Sequence, residues 1–214
     1  MGKHTDLTTL NEKTFAQALS ELCNRDPALA AIVSRWGEPP FWVHKPGFPG
    51  LVLAILSQQV SLESANATFA KLENKLGTLS PDSFLALNDK ALREAGFSRQ
   101  KASYVRDLAT NLINNTLRLD ALESMSDEEG RETLTSIRGI GSWTADTYLL
   151  FALRRPDTWP SGDLALAKAI QELEHLETMP DGDAVDQYAE AWRPWRAVAA
   201  RILWHYYLSV RGRS

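Results

Sequence analysis

Two features of this chain have residue types and spacing that could do chemistry: a glycine turn and a carboxylate downstream of it. In Leu134-Thr-Ser-Ile-Arg-Gly-Ile-Gly-Ser-Trp-Thr-Ala145 a helix ends, Gly139-Ile140-Gly141 makes a tight turn, and a second helix begins. Glycines at this spacing permit positive φ and keep side chains out of the turn. The N–H groups of the turn and of the next helix's first turn can then point outward together, an anion site suited to one phosphate. For two glycines alone, a plain interhelical turn is the simpler reading. Asp163 follows Trp143 by 20 positions, in Pro160-Ser-Gly-Asp-Leu164 at a helix start. The helix dipole and N–H donors there favour its ionised form. The position suits an N-capping aspartate and a carboxylate that stabilises developing positive charge equally well. Asp146, early in the helix after the turn, and Asp157, in an Arg-Arg-Pro-Asp turn, are the competing carboxylates. Lys168 reads as a solvated helix lysine. His4, His44 and His175 are scattered and outline no metal-ligand cluster. One cysteine, Cys23, excludes an intramolecular disulfide and a four-cysteine zinc or iron–sulfur site.

The elements that must position these groups read as helices. The 214 residues are 44% hydrophobic and 23% charged, an ordinary globular composition. Apolar stretches end at glycines, as at Gly77 and Gly96, and begin at Ser-Pro-Asp or Ser signals. The spacing predicts helices over 48–58, 62–76, 89–95, 98–113, 126–136, 142–153, 164–176, 185–192 and 197–210, with another beginning at 80–82. In the 98–113 segment, Ala102, Val105, Leu108, Ala109 and Leu112 share one stripe. No period-2 run bounded by turn residues is present, so the fold class is all-α. Proline-rich segments near residues 39 and 46–49 set off an N-terminal helical segment, 1–45, expected to pack on the C-terminal lobe. Residues 46–214 form a core of two helical lobes in this reading, and the first ten residues are expected to be disordered. The longest apolar run in the middle of the chain, Leu51 to Leu56, is far short of a membrane span, and no signal peptide opens the sequence. The expectation is an intracellular protein without a membrane partner, with a monomer requiring the fewest assumptions. The net charge of −4 excludes a uniformly basic nucleic-acid binder. It leaves room for local basic surface, such as the acid-free run with Arg196, Arg201, Arg211 and Arg213, or the smaller set Arg99, Lys101 and Arg106. The plainer reading of both is solvated helix faces.

The glycine turn and its flanks resemble the helix-hairpin-helix DNA glycosylases. Three further segments carry the resemblance: Leu56-Ser-Gln-Gln-Val-Ser61, Gly96-Phe-Ser-Arg-Gln-Lys-Ala102, and Tyr188-Ala-Glu-Ala-Trp-Arg-Pro-Trp-Arg196 followed by Ile202-Leu-Trp204. The last is similar to the 3-methyladenine DNA glycosylase II branch, the alkylation-repair branch, and the likeness covers roughly Pro49 to Tyr207. It implies a two-lobed helical bundle around a helix-hairpin-helix motif.

The resemblance also implies roles. Asp163 is the catalytic carboxylate. Trp143, Trp204 and His205 line the base pocket, and Gln59 is the wedge that fills the gap left by a flipped base. Gly139, Ile140, Gly141 and Thr144 form the phosphate-binding hairpin. The backbone carbonyls of Thr135, Ile137 and Ile140 hold a monovalent cation, Na+ or K+, as a structural ion; no cofactor is required. Family members that form a Schiff base carry lysine where this chain has Trp143, so the expectation is a monofunctional enzyme acting on alkylated purines in damaged double-stranded DNA. The charge of those bases suits tryptophan faces and weakens the bond to be cut. The alternatives are the same fold acting on ethenoadenine, hypoxanthine or uracil, a non-catalytic DNA-binding hairpin module, or an all-helical protein-interaction domain. Trp192 and Trp195 are expected to pack the C-terminal helices.

Overall fold

A computed structural model describes residues 9–212, which carry twelve α-helices and no strand. The chain divides into two compact units, one of residues 1–43 with 154–214 and one of residues 44–153. The N-terminal segment thus shares a unit with the C-terminal helices, and the break near the proline-rich stretch falls at residue 43, with a second at 153.

The first unit holds α1 (Glu12–Arg25), α2 (Pro27–Trp36), α10 (Leu164–Leu173), α11 (Gly182–Glu190) and α12 (Arg196–Val210). Helix α12 is buried on nearly all sides through Ala197 to Leu203 and packs against α1, α2, α10 and α11. A helix apolar all round belongs inside a core, and its alanines let four neighbours approach. The second unit is built in the same way on α3 (Phe48–Leu56), whose residues are buried except Pro49. Around it lie α4 (Leu62–Leu76), α7 (Arg99–Ile113) and α9 (Ser142–Phe151). Helices α5 (Pro81–Leu85), α6 (Asp89–Ala95) and α8 (Asp127–Thr135) complete it, with a 3-10 turn at Asp120–Ser124.

Most helix starts follow the sequence signals, with side-chain caps from Ser61, Ser80, Asn88, Ser98 and Ser126. Two boundaries differ by three residues. Helix α10 ends at Leu173 rather than 176, because His175 takes a left-handed φ of 52°. Helix α11 starts at Gly182, capped by Asp181, in a Pro-Asp-Gly-Asp stretch that reads locally as a turn. The disorder expected for the first ten residues fails at its end: Leu10 is fully buried and its N–H donates to the Arg154 carbonyl at 2.9 Å. Residues 1–8, including His4, lie outside the described residues. Among those described, no helix is long and apolar enough to cross a membrane.

Candidate active site

In the second unit the glycine turn joins α8 to α9. Gly139 has φ 87°, and a Cβ built there would sit 2.1 Å from Cγ of Tyr104, so both conformation and space demand glycine. Gly141 is different. Its φ of −90° suits any residue and a Cβ would meet nothing within 4 Å, so no neighbour inside the protein requires its small size. It is the N-cap of α9 and supplies no side-chain cap to the first-turn N–H groups. The result is an open helix N-terminus with space in front of it, suited to an anion. Ile140 is buried beneath the turn, its N–H donating to the Ile137 carbonyl at 3.0 Å. A carbonyl oxygen has two lone pairs; the neutral carbonyls of Thr135, Ile137 and Ile140 are a donor set that suits a hard monovalent cation.

The two hairpin helices are joined by an ion pair. Arg131 of α8 donates from Nε to Asp146 Oδ1 of α9 at 2.7 Å and from Nη1 to Glu128 at 2.6 Å. Asp146 is 1% exposed, and burial outweighs the guanidinium, pushing its carboxyl up to about 6. This competing carboxylate is therefore a strut of the hairpin.

The loop after α3 leans on the hairpin. Gln58 donates from Nε2 to the Gly139 carbonyl at 2.8 Å and to Thr144 Oγ1 at 2.9 Å. Thr144 thus turns its buried side chain inward and leaves its backbone at the helix start. Lys101 of α7 donates from Nζ to the carbonyls of Leu56 at 2.6 Å and Gln58 at 2.8 Å, a charge placed on the C-terminal end of α3. Burial lowers its ammonium below the usual lysine range. Lys101 is consequently no solvated-face lysine. Just past these ties, Gln59 is exposed and has φ 55°, a left-handed conformation costly for a non-glycine residue. Replacing Lys101 by Met leaves two carbonyls without their charged donor; we expect a loss of about 2 kcal/mol in a urea melt and faster amide exchange at residues 57–60. An unchanged melt would show that the tip needs no such tie.

In the first unit, Asp163 caps α10. Its Oδ1 accepts from the N–H groups of Ala165 and Leu166, both at 2.9 Å, and from Trp204 Nε1 at 3.3 Å. The structure thus brings Asp163 and Trp204 together, and the capping role is real. Three donors on a carboxylate 8% exposed fix its direction. Leu164, next in the chain, is 72% exposed and puts apolar surface beside it. Trp143, part-exposed at the second position of α9, belongs to the other unit.

His205, expected in the base pocket, has a structural tie in the first unit. It is buried, and its Nε2 lies 3.0 Å from the Trp36 carbonyl. A carbonyl only accepts, so Nε2 carries the proton and the ring ties α12 to the end of α2. The C-terminal arginines are not a free basic face either. Arg201 is fully buried, donating to the carbonyls of Ala197 and Trp42, and burial lowers it to about 9. Arg196 pairs with Asp157 and Glu190, and Arg211 with Glu172. Arg213 lies outside the described residues. Asp157 also binds Arg193, which accounts for this third carboxylate. Trp192 and Trp195 tie the C-terminal segment to α1 and α2 through Asp26 and Glu21. Lys168 interacts with Gln171 and Glu172 on its own helix. Arg138, which the sequence reading passed over, sits in the hairpin turn itself. It donates to Ser103 Oγ at 3.0 Å and lies over the Tyr104 ring at 5.6 Å. Among the described residues, no group of His, Cys, Asp and Glu side chains could hold a metal ion.

Residues 52–194 match the model of the HhH-GPD superfamily base excision DNA repair proteins. The chain belongs to this superfamily. Among HhH-GPD relatives, it is 31% identical over 164 residues to DNA-3-methyladenine glycosylase 1 of Schizosaccharomyces pombe, covering 75% of this chain and 72% of that one. A Bacillus subtilis relative is 29% identical over 185 residues, and the chain spans 64% of its length. In three dimensions the chain is similar to the S. pombe 3-methyladenine DNA glycosylase Mag1 in complex with abasic DNA, with a TM-score of 0.81 and 27% identity over 91% of this chain and 97% of that one. The all-helical architecture expected from the sequence is the HhH-GPD fold.

Proposed function

We propose that this chain is a monofunctional DNA glycosylase that hydrolyses the N-glycosidic bond of alkylated purines of the 3-methyladenine and 7-methylguanine type, leaving an abasic site. The observation that carries this reading is Asp163, fixed by two backbone N–H groups and the Trp204 indole in an HhH-GPD chain. A base inside a duplex is out of reach, so the nucleotide is extruded first. The hairpin amides and the Arg138 guanidinium hold backbone phosphates, and Gln59 fills the vacated stack. As the base departs, the sugar gains oxocarbenium character, which the Asp163 carboxylate stabilises while orienting water for attack. An alkylated purine carries positive charge and leaves without a strong general acid, so no acid partner for Asp163 is required. The face of Trp204, hydrogen-bonded to Asp163, attracts that charge. Trp143 stands where a lysine nucleophile would stand and Lys168 is engaged on α10, so strand cleavage through an imine has no nucleophile. A Na+ or K+ on the Thr135, Ile137 and Ile140 carbonyls would offset phosphate charge at the hairpin, and the reaction needs no cofactor.

Incubation with methylated duplex DNA, with released bases separated by chromatography, tests this reading. Release of methylpurines with intact strands supports it; no release alongside salt-dependent binding would point to another damaged base or to a binding module. In the same binding assay, Arg138→Gln should reduce the slope of log affinity against log salt by about 0.9, the share of one phosphate contact. An unchanged slope would remove Arg138 from the interface.

A further inference from the structure

The turn that delivers Asp163 is fastened by a second carboxylate from another helix. Asp186, on α11, accepts from Trp159 Nε1 with Oδ1 and from Ser161 Oγ with Oδ2, both at 3.0 Å. Trp159 is buried against Trp192, their ring centroids 5.6 Å apart. Between these anchors and Asp163 the backbone is short: the Ser161 N–H donates to the Trp159 carbonyl, the Asp163 N–H donates to the Pro160 carbonyl, and Gly162 reverses the chain at φ 78°. Asp163 is thus held from both sides, by α10 after it and by Asp186 through residues 159–161 before it. We infer that Asp186 is a positioning residue for base release, acting through the 159–163 turn to aim the Asp163 carboxylate. This rests on the reading of Asp163 as the catalytic carboxylate.

The two hydrogen bonds also say which substitution should be tolerated. Asparagine at 186 can accept from Trp159 with its carbonyl oxygen and donate from its amide to Ser161 Oγ, because a hydroxyl accepts as well as donates. Alanine keeps neither bond. Displacement of a reacting group by about 1 Å costs up to about a hundredfold in rate.

The test is single-turnover base release from a methylated duplex, normalised to active protein, together with the dissociation constant for the same duplex and a thermal melt. For Asp186→Ala we expect a ten- to hundredfold slower release, with DNA affinity within about twofold of wild type. Asp186→Asn should recover most of the rate. Trp159→Phe, which keeps an aromatic side chain, though a smaller one, and removes the donor, should slow release in the same direction, and combining it with Asp186→Ala should cost less than the product of the two effects. A wild-type rate for Asp186→Ala, or a loss that tracks only the folded fraction, would overturn the inference. So would failure of Asp186→Asn to rescue, since charge rather than hydrogen-bond geometry would then matter. Asp163→Asn measured alongside separates the two ideas: undiminished release by that variant would refute the role of Asp163 itself, whatever Asp186 does.

Discussion

Asp163→Asn should lower base release on the order of 10^3-fold while leaving the protein folded and bound to DNA. Asparagine is as good an N-cap as aspartate. Its amide oxygen can still accept from Ala165, Leu166 and Trp204, the three donors that converge on Oδ1. The variant therefore removes the charge and keeps the geometry, with stability within about 0.5 kcal/mol of wild type. Affinity for duplex DNA should hold or rise slightly, because one negative charge is gone. Asp163→Ala is the poorer experiment, since losing the cap costs about 1 kcal/mol by itself. Base release by Asp163→Asn at the wild-type rate would move the chemistry to another residue.

The second large effect concerns the hairpin strut. Arg131→Met leaves the Asp146 carboxylate buried without its partner at 2.7 Å, and we expect a loss of about 3–5 kcal/mol at pH 8 in urea melts. Asp146→Asn removes the buried charge together with the pair, and Arg131 keeps Glu128; about 1 kcal/mol is expected there. The pH dependence follows from the sign of the shift. The Asp146 carboxyl is raised in the fold, from 3.8 to about 6. Its contribution to stability is full below about 4 and is lost as pH rises through about 6. A shift of this size is worth at most about 3 kcal/mol. The stability difference between wild type and Asp146→Asn should accordingly change between pH 5 and pH 7.5, in favour of wild type at the lower pH. The penalty of Arg131→Met should shrink over the same interval as Asp146 takes up a proton. Equal, pH-independent penalties for the two variants would show that Asp146 is not the buried charge it resembles.

Local features were the readable ones. The hairpin is legible because its glycines, flanking helices and cap lie within one dozen residues, and Asp163 is legible because a helix start is a local signal. Gln58 and Lys101 lie within recognisable motifs, yet their contacts are not legible there, since their partners are up to 86 residues away. The C-terminal arginines show the same gap. A run without acids looks basic in one dimension, but α10, α11 and the 157 turn bring Glu172, Glu190 and Asp157 to it, and Arg201 points inward. His205 invited a pocket role by standing beside Trp204, whereas consecutive helix residues face different directions; one meets Asp163 and the other Trp36. Asp186 carries no motif at all. Its signal is two hydrogen bonds that exist only after α11 folds against the 159–161 turn.

In the proposed wedge role, the left-handed Gln59 bears on the energetics of DNA opening. Ordering one residue's backbone costs about 1–2 kcal/mol, and a flexible tip would lose that freedom at the moment it entered the helix. Here Lys101 and Gln58 fix the backbone just before the tip, and Gln59 stands at a left-handed φ. For a wedge held in this way part of the ordering cost would be met when the protein folds, so more of the work of probing a base step would be unstacking, which is smaller for a weakly stacked lesion.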